Sequence, residues 1–436
     1  MKENKKPQEK INENNSEDEI ISWIKNQRLM WKFRFYGFFK NLKFFEPYLF
    51  IILLAWGLDL FQIGILIAIQ EGISFLFEIP SGMIADNKGR KSEMLICFFF
   101  YIISFIFYFF GPSFFILIFA AIFFGLGEAF RSGTHKAMEM QWLDKNKIPQ
   151  YKSYVYGSSR SYSLYGSAIS SILAILFFLS IPASRWIFLL TIIPYIIAFF
   201  LISTYPKYMN KSAHKEKNLS HMEEFYQSFK GLKILFRNRK LSKGLFSSSI
   251  YNSIFKSLKD YIQPILQLAI IFLLADLGLE NSSFSQEFFL AVILGLVYAI
   301  FYLVSSYSSK ISYKFEKIVK SPKKSIDILF YFFGAIIFVE AFFISIKLPI
   351  VIIIFYLLFY ISYNIRRPIT VGYLGDSIEV EQRTTILSVE SQLRTIFIII
   401  FAPLFGYIAE IFSIDTLFYI LALVMIIINI LFLRGE

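Results

Sequence analysis

Solid apolar runs of about twenty residues recur along this 436-residue chain, and each is long enough to cross a bilayer as a helix. A water-soluble core cannot hide so many of them. A transmembrane β-barrel would instead alternate apolar and polar residues in short segments. The pattern therefore predicts an all-α integral membrane protein with 12 transmembrane helices, at 34–57, 61–85, 91–110, 114–141, 153–179, 186–204, 245–275, 286–307, 326–346, 348–370, 384–409 and 415–434. The first and seventh runs are mixed, interrupted by FYGFFKNLKFFEP and KSLKDYIQP.

The formal net charge of +12 would suit nucleic acid, but the basic residues sit between the apolar runs, so no nucleic-acid partner is expected. They read as topology markers facing anionic headgroups. One set of alternate loops holds NKGRK, DKNKIPQYK, 205–244, KISYKFEKIVKSPKK and EVEQR, whereas the other set has only Arg185 and Lys347 as basic residues. The positive-inside rule then places both termini in the cytoplasm and implies an even helix count. Residues 1–33 are polar and read as a disordered tail, although 20–33 could instead form an amphipathic helix on the membrane surface. A polar stretch ahead of the first apolar run is not the layout of a cleavable signal peptide.

The longest hydrophilic interruption, 205–244, divides the chain into six-helix halves at 34–204 and 245–436, and includes an amphipathic-looking stretch at 223–236. The halves echo each other. KNLKFFEPYL begins at Lys40 and KSLKDYIQPIL at Lys256, each with Lys-x-Leu-Lys, an aromatic, then a polar residue before proline. Lys152-Ser153 and Arg383-Thr384 form a weaker second match. A duplicated six-helix unit is the layout of parallel-repeat transporters.

Enzymatic chemistry finds little footing. A lone Cys97 with His135, His214 and His221 forms no zinc-type spacing, no Gly-Lys-Ser or Gly-Lys-Thr phosphate loop is present, and no nucleophile–base pair stands out. No cofactor or metal is expected. The expected partners are a small-molecule substrate, a coupling ion and the lipid bilayer, with the chain acting as a monomer.

After the second apolar run comes Gly82-Met83-Ile84-Ala85-Asp86-Asn87-Lys88-Gly89-Arg90-Lys91. This resembles the loop signature of the major facilitator superfamily, with Asn87 where a basic residue is usual. Glu78-Ile79-Pro80-Ser81, Ser132-Gly133 and Lys259-Asp260-Tyr261-Ile262-Gln263-Pro264 resemble a bacterial efflux-like subset of that family. The resemblance implies two pseudo-symmetric six-helix bundles in a bacterial plasma membrane, and a cytoplasmic gate made by Gly82, Asp86, Gly89, Arg90 and Lys91. The residues alone permit a plainer reading, an ordinary glycine turn with basic anchors. Two departures matter. Ala121 stands where proton-coupled drug exporters carry an arginine ahead of Gly125 and Gly127, and Tyr165-Gly166-Ser167-Ala168 lacks the antiporter proline.

Charges at membrane depth are costly unless paired or wet, which makes them functional candidates. Glu71, then Glu128 and Glu46, are the candidate proton carriers, as carboxylates without an evident local cation; a fixed pair between Glu71 and Lys259 or Arg160 is the alternative. Lys256, Lys259, Asp260 and Gln263 fall on one helical stripe and, with Tyr261, Arg131 and Arg160, are the candidate cavity residues. Glu390 with Arg394 reads as a structural pair, and Lys40, Lys136 and Glu139 as anchors near the membrane surface. His135 is a weak candidate pH switch. The function expected is alternating-access transport, coupled to protons and exporting an amphipathic, drug-like molecule. Uptake of a polar or anionic metabolite is the alternative. A non-transporting receptor or assembly protein on the same fold is the reading from another class.

Overall fold

The computed structural model describes residues 16–181, 183–210, 239–278, 283–376 and 383–428, with side chains at most of these positions but not at Asp86 or Asn87. His214, His221 and the amphipathic stretch at 223–236 lie outside the described residues. Among the described residues, every regular element is an α-helix or a 3-10 turn.

The tail is more ordered than its polarity suggests. Ser16 caps α1 (Glu17–Asn26) in a reciprocal box with Glu19, satisfying two donors that a helix start leaves bare. Ile24 is fully buried and Trp23 stacks on Trp142 at 6.1 Å, so α1 docks on the first bundle. The expected disorder therefore does not extend over 16–33; two indole rings and a capped terminus supply the local gain that composition did not reveal.

The first crossing is broken. It runs through α2 (Arg28–Lys40), a 3-10 turn at Glu46–Tyr48 and α3 (Leu49–Ala55). The seventh breaks at the matching place: α10 (Arg239–Leu258), a 3-10 turn at Lys259–Tyr261, then α11 (Ile262–Asp276). Both breaks fall in the paired Lys-x-Leu-Lys segments, where proline withholds a backbone donor. The internal repeat is thus a repeat of backbone shape.

Between them lie α4 (Leu60–Lys88), α5 (Arg90–Phe110), α6 (Phe114–Arg131), α7 (Thr134–Lys145), α8 (Lys152–Ser180) and α9 (Trp186–Ser203). Gly133, at φ 74°, divides the expected fourth helix into α6 and α7. The second half continues with α12 (Ser283–Val319), α13 (Pro322–Ser345), α14 (Pro349–Asp376), α15 (Arg383–Ile411) and α16 (Ile414–Ile428). The eighth helix runs twelve residues past its expected end at 307, taking all of KISYKFEKIV into α12. Among the described residues, ten helices are long and apolar enough to cross a membrane, and Glu46–Ala55 and Ile414–Ile428 are the two shorter apolar segments. These twelve fill the twelve expected positions as two six-helix bundles.

The bundles meet along α4 with α15 and along α8 with α12. The end bearing residues 57–60 and 411–414 is closely packed, because glycines let backbones approach. A Cβ at Gly64 would strike the Ala402 carbonyl, one at Gly406 the Leu60 carbonyl, and one at Gly295 the Ile175 side chain. Glu410 adds a carboxylate that accepts from the Leu60 N–H at 3.1 Å, at the positive start of α4. At the opposite, basic end the bundles part around open space.

Candidate functional site

A cavity of about 410 Å³ lies between the bundles, lined by residues of the broken first and seventh helices and of α4, α6 and α15. Its charged side chains nearly balance: Lys40, Lys43, Arg131, Lys256, Lys259 and Arg394 face Glu46, Glu71, Glu78, Glu128 and Asp260. Phe45, Phe50, Phe75 and Phe124 supply apolar wall. The helical breaks place these charges. A continuous helix would spread Lys256 and Lys259 along one stripe, whereas the 3-10 turn carries Lys259 and Asp260 together to the cavity edge.

Two ion pairs cross from one bundle to the other. Lys256 Nζ lies 3.4 Å from Glu71, and Lys259 Nζ lies 3.7 Å from Glu46 and 2.9 Å from Asp260. Within the first bundle, Glu128 pairs with Arg131 and accepts from the Tyr101 hydroxyl at 2.5 Å. All three carboxylates singled out as lacking a cation therefore have one. Sequence spacing could expose the Arg131 partner only along its own helix; the other two come from 185 and 213 residues away. Glu71 is paired, but with Lys256 rather than the expected Lys259 or Arg160.

Gln263 and Tyr261 stand behind the cavity wall. Gln263 is fully buried, and its amide oxygen accepts from the Phe50 N–H at 2.8 Å while its amide nitrogen donates to the Glu46 carbonyl at 3.0 Å. In an unbroken helix that N–H and carbonyl would bond each other. A side chain of the second bundle thus splints the gap in the first. The same amide donates to Tyr298, whose hydroxyl donates to Asp260, both at 2.8 Å. Tyr261 packs on Phe50, ring centroids 5.6 Å apart.

A second space of about 380 Å³ adjoins the cavity, sharing Lys40, Arg131 and Ser132 with it. Arg160 lines this vestibule rather than the cavity, together with Lys136, Arg367 and Tyr156. Lys40 and Glu139 are not surface anchors: Lys40 is 8% and Glu139 1% exposed, and Glu139 meets His135 at 3.3 Å. The His135 ring stacks on Tyr36, centroids 3.8 Å apart. Arg394 keeps its expected partner Glu390 at 3.8 Å but also faces the cavity. The sequence reading passed over Arg367, Glu410 and Tyr298. The doubled Arg366-Arg367 before Pro368 in an apolar run was a visible signal for the first of these.

Of the loop motif, Gly89 ends α4 at φ 92°, Arg90 donates to the Ala137 carbonyl at 3.3 Å and Lys91 to the Tyr205 carbonyl at 3.1 Å. These donors bind carbonyls of the first bundle. Gly82 is exposed, with nothing nearby. The Asp86 side chain lies outside those described.

Two six-helix bundles built as parallel repeats, with a charged cavity between them, are a layout found among secondary transporters. The sequence profile described as "Major Facilitator Superfamily" matches residues 41–365. The chain belongs to that superfamily. It is 25% identical over 389 residues to the "Uncharacterized MFS-type transporter YxaM" of Bacillus subtilis (strain 168), covering 88% of this chain and 89% of that one. Two crystal structures of the nucleoside transporter NupG, one of a mutant, share its fold. The mutant has a TM-score of 0.73 at 12% identity, over 93% of this chain and 99% of that one. The other has 0.72 at 12%, over 94% and 100%. This superfamily chain is a membrane-spanning transporter.

Proposed function

We propose that this protein is a secondary active transporter of an amphipathic small molecule, driven by protons and working by alternating access. The halves 34–204 and 245–436 rock about the 205–244 segment, with both termini in the cytoplasm of a bacterial cell and the chain acting as a monomer. The observation that carries this reading is the pair of ion bridges, Glu71–Lys256 and Glu46–Lys259, spanning a cavity that the packed end closes and the basic end leaves open. Bridges between bundles must loosen when the bundles part, and a proton on the carboxylate is the simplest agent to loosen them. Each partly solvated pair contributes on the order of 1 kcal/mol, and two such bridges together bias a conformational equilibrium. The phenylalanine wall supports an apolar portion in the substrate.

Coupling sets direction. A cationic drug would compete with the proton for Glu71 and Glu46, and would be exported against inward protons, the direction favoured by the sequence. An anionic substrate would occupy the lysines that protonation frees, and would travel with the proton, as in uptake. The cation-rich vestibule favours the second course.

Reconstituted protein, assayed for substrate-dependent proton flux, tests the reading. Glu71→Gln is expected to cut gradient-driven accumulation at least about tenfold while exchange of substrate for substrate continues, the loss of one such pair spanning about 1.4 kcal/mol or more. Unchanged accumulation in Glu71→Gln would remove Glu71 from coupling, and no flux with any substrate panel would sink the transporter mechanism.

A further inference from the structure

Among the described residues, the lining of the vestibule holds more positive than negative side chains. Lys136 of α7, Arg160 of α8 and Arg367 of α14 converge on Tyr156 from three helices and both bundles. Lys136 Nζ sits 4.6 Å from the Tyr156 ring centre, and Arg160 lines the same space. The Arg367 guanidinium donates to the Tyr363 hydroxyl at 3.0 Å. Among the described residues, none of these three cations has a carboxylate within 4 Å. Arg131 and Lys40 line the same space, where Glu139 is the one carboxylate, and it faces His135.

Helix placement sharpens the imbalance. Lys136 falls in the first turn of α7, and Lys152 opens α8; neither helix has an acidic residue in that turn. Cations there oppose the helix macrodipole, an arrangement that an added anion would relieve. Lys136, Arg160 and Arg367 are exposed, and they line a hollow between the bundles that shares Lys40, Arg131 and Ser132 with the central cavity.

We propose that this vestibule binds the anionic end of the transported substrate, an organic anion bearing two or more negative charges, of the phosphate monoester or polycarboxylate type. Arg160 and Arg367 offer planar forks suited to such oxygens, and Lys136 a point charge. Because Arg160 belongs to the first bundle and Arg367 to the second, an anion held by both bridges the two. Bound there, it hands its charge inward to Arg131 and Lys40, then to Lys256 as protonated Glu71 releases it. The proposal rests on the transporter reading and gives its substrate class.

Purified full-length protein, in detergent and in nanodiscs of neutral or phosphatidylglycerol lipid, is titrated with pyrophosphate and with citrate against sodium chloride of equal ionic strength. Either polyanion is expected to raise the unfolding midpoint saturably in detergent and in neutral lipid, as ligands selective for the folded state do. Arg160→Gln and Arg367→Gln should each weaken binding about tenfold, the scale of one charge-assisted contact. Lys314→Gln, an exposed change elsewhere, should leave it unaltered. Polyanions no better than chloride, or protection by phosphatidylglycerol alone, overturn the proposal, the latter assigning the charges to a lipid headgroup. Counterflow with neutral, cationic and anionic tracers runs beside it. Flux of a neutral or cationic tracer without polyanion binding removes this inference and leaves the transporter. Saturable polyanion binding with no tracer flux keeps the anion site and removes the transport reading.

Discussion

The two ends of the bundle interface are built on opposite principles. At one end glycines bring backbone against backbone, with Gly64 on Ala402 and Gly406 on Leu60, and a buried glutamine splints the broken helix beneath. At the other, partly buried ion pairs and a surplus of cations stand around open space. Close packing yields abruptly, because a gap of about 0.5–1 Å already forfeits about a quarter to a half of its dispersion energy. Paired charges in a wet cleft give way gradually and can be reset by a proton or an ion. A transporter needs both: an end that seals and an end that responds.

Changes at the sealed end should therefore cost more than changes at the wet end. The largest effect is expected from Gln263→Leu, which strands the Phe50 N–H and the Glu46 carbonyl; at about 1–3 kcal/mol for each buried orphan, this should total about 2–6 kcal/mol. Thermal unfolding in detergent measures it, and a midpoint like wild type would show that the splint is dispensable. Gly64→Val comes next. Its side chain meets main-chain carbonyl, which cannot swing aside, so overpacking of about 1–3 kcal/mol should push the ends apart. Spin-label distances between residues 59 and 413 should lengthen, and transport should fall with them.

Glu410→Gln is a milder test of the same end. It keeps an acceptor for the Leu60 N–H but removes the charge at the start of α4, for about 0.3–1 kcal/mol. The same distance measurement should show a small shift toward separation, less than that of Gly64→Val. Smallest in stability is Lys256→Met at the wet end, expected within about 1 kcal/mol because its pair with Glu71 is partly solvated. Its signature is functional: the dependence of transport on the pH gradient should weaken while the unfolding midpoint holds. A midpoint drop as large as that of Gln263→Leu would erase the contrast between the ends.

Much of the architecture was legible in the chain. Apolar run length gave the helix positions, because a bilayer leaves a spanning segment no alternative to satisfying its own backbone bonds. The paired Lys-x-Leu-Lys segments marked where both halves break. Less legible were the partners of Glu71 and Glu46, since Lys256 and Lys259 reach them across the bundle interface. A helix over 20–33 was legible only as an alternative to disorder, because its docking rests on Trp23 meeting Trp142. Arg367 was overlooked because one doubled arginine near a helix end resembles a topology marker until its neighbours are known.

The sequence by itself determined that the chain crosses a membrane as helices and that it is built twice over. Those properties are local, set by hydrophobicity and by the spacing of residues along one helix. Only the tertiary structure decided which charges face one another, that Gln263 repairs the other bundle's backbone, and which end is shut. Such pairings depend on how two helices rotate and cross, a choice made by packing between distant segments that no single stretch of sequence encodes.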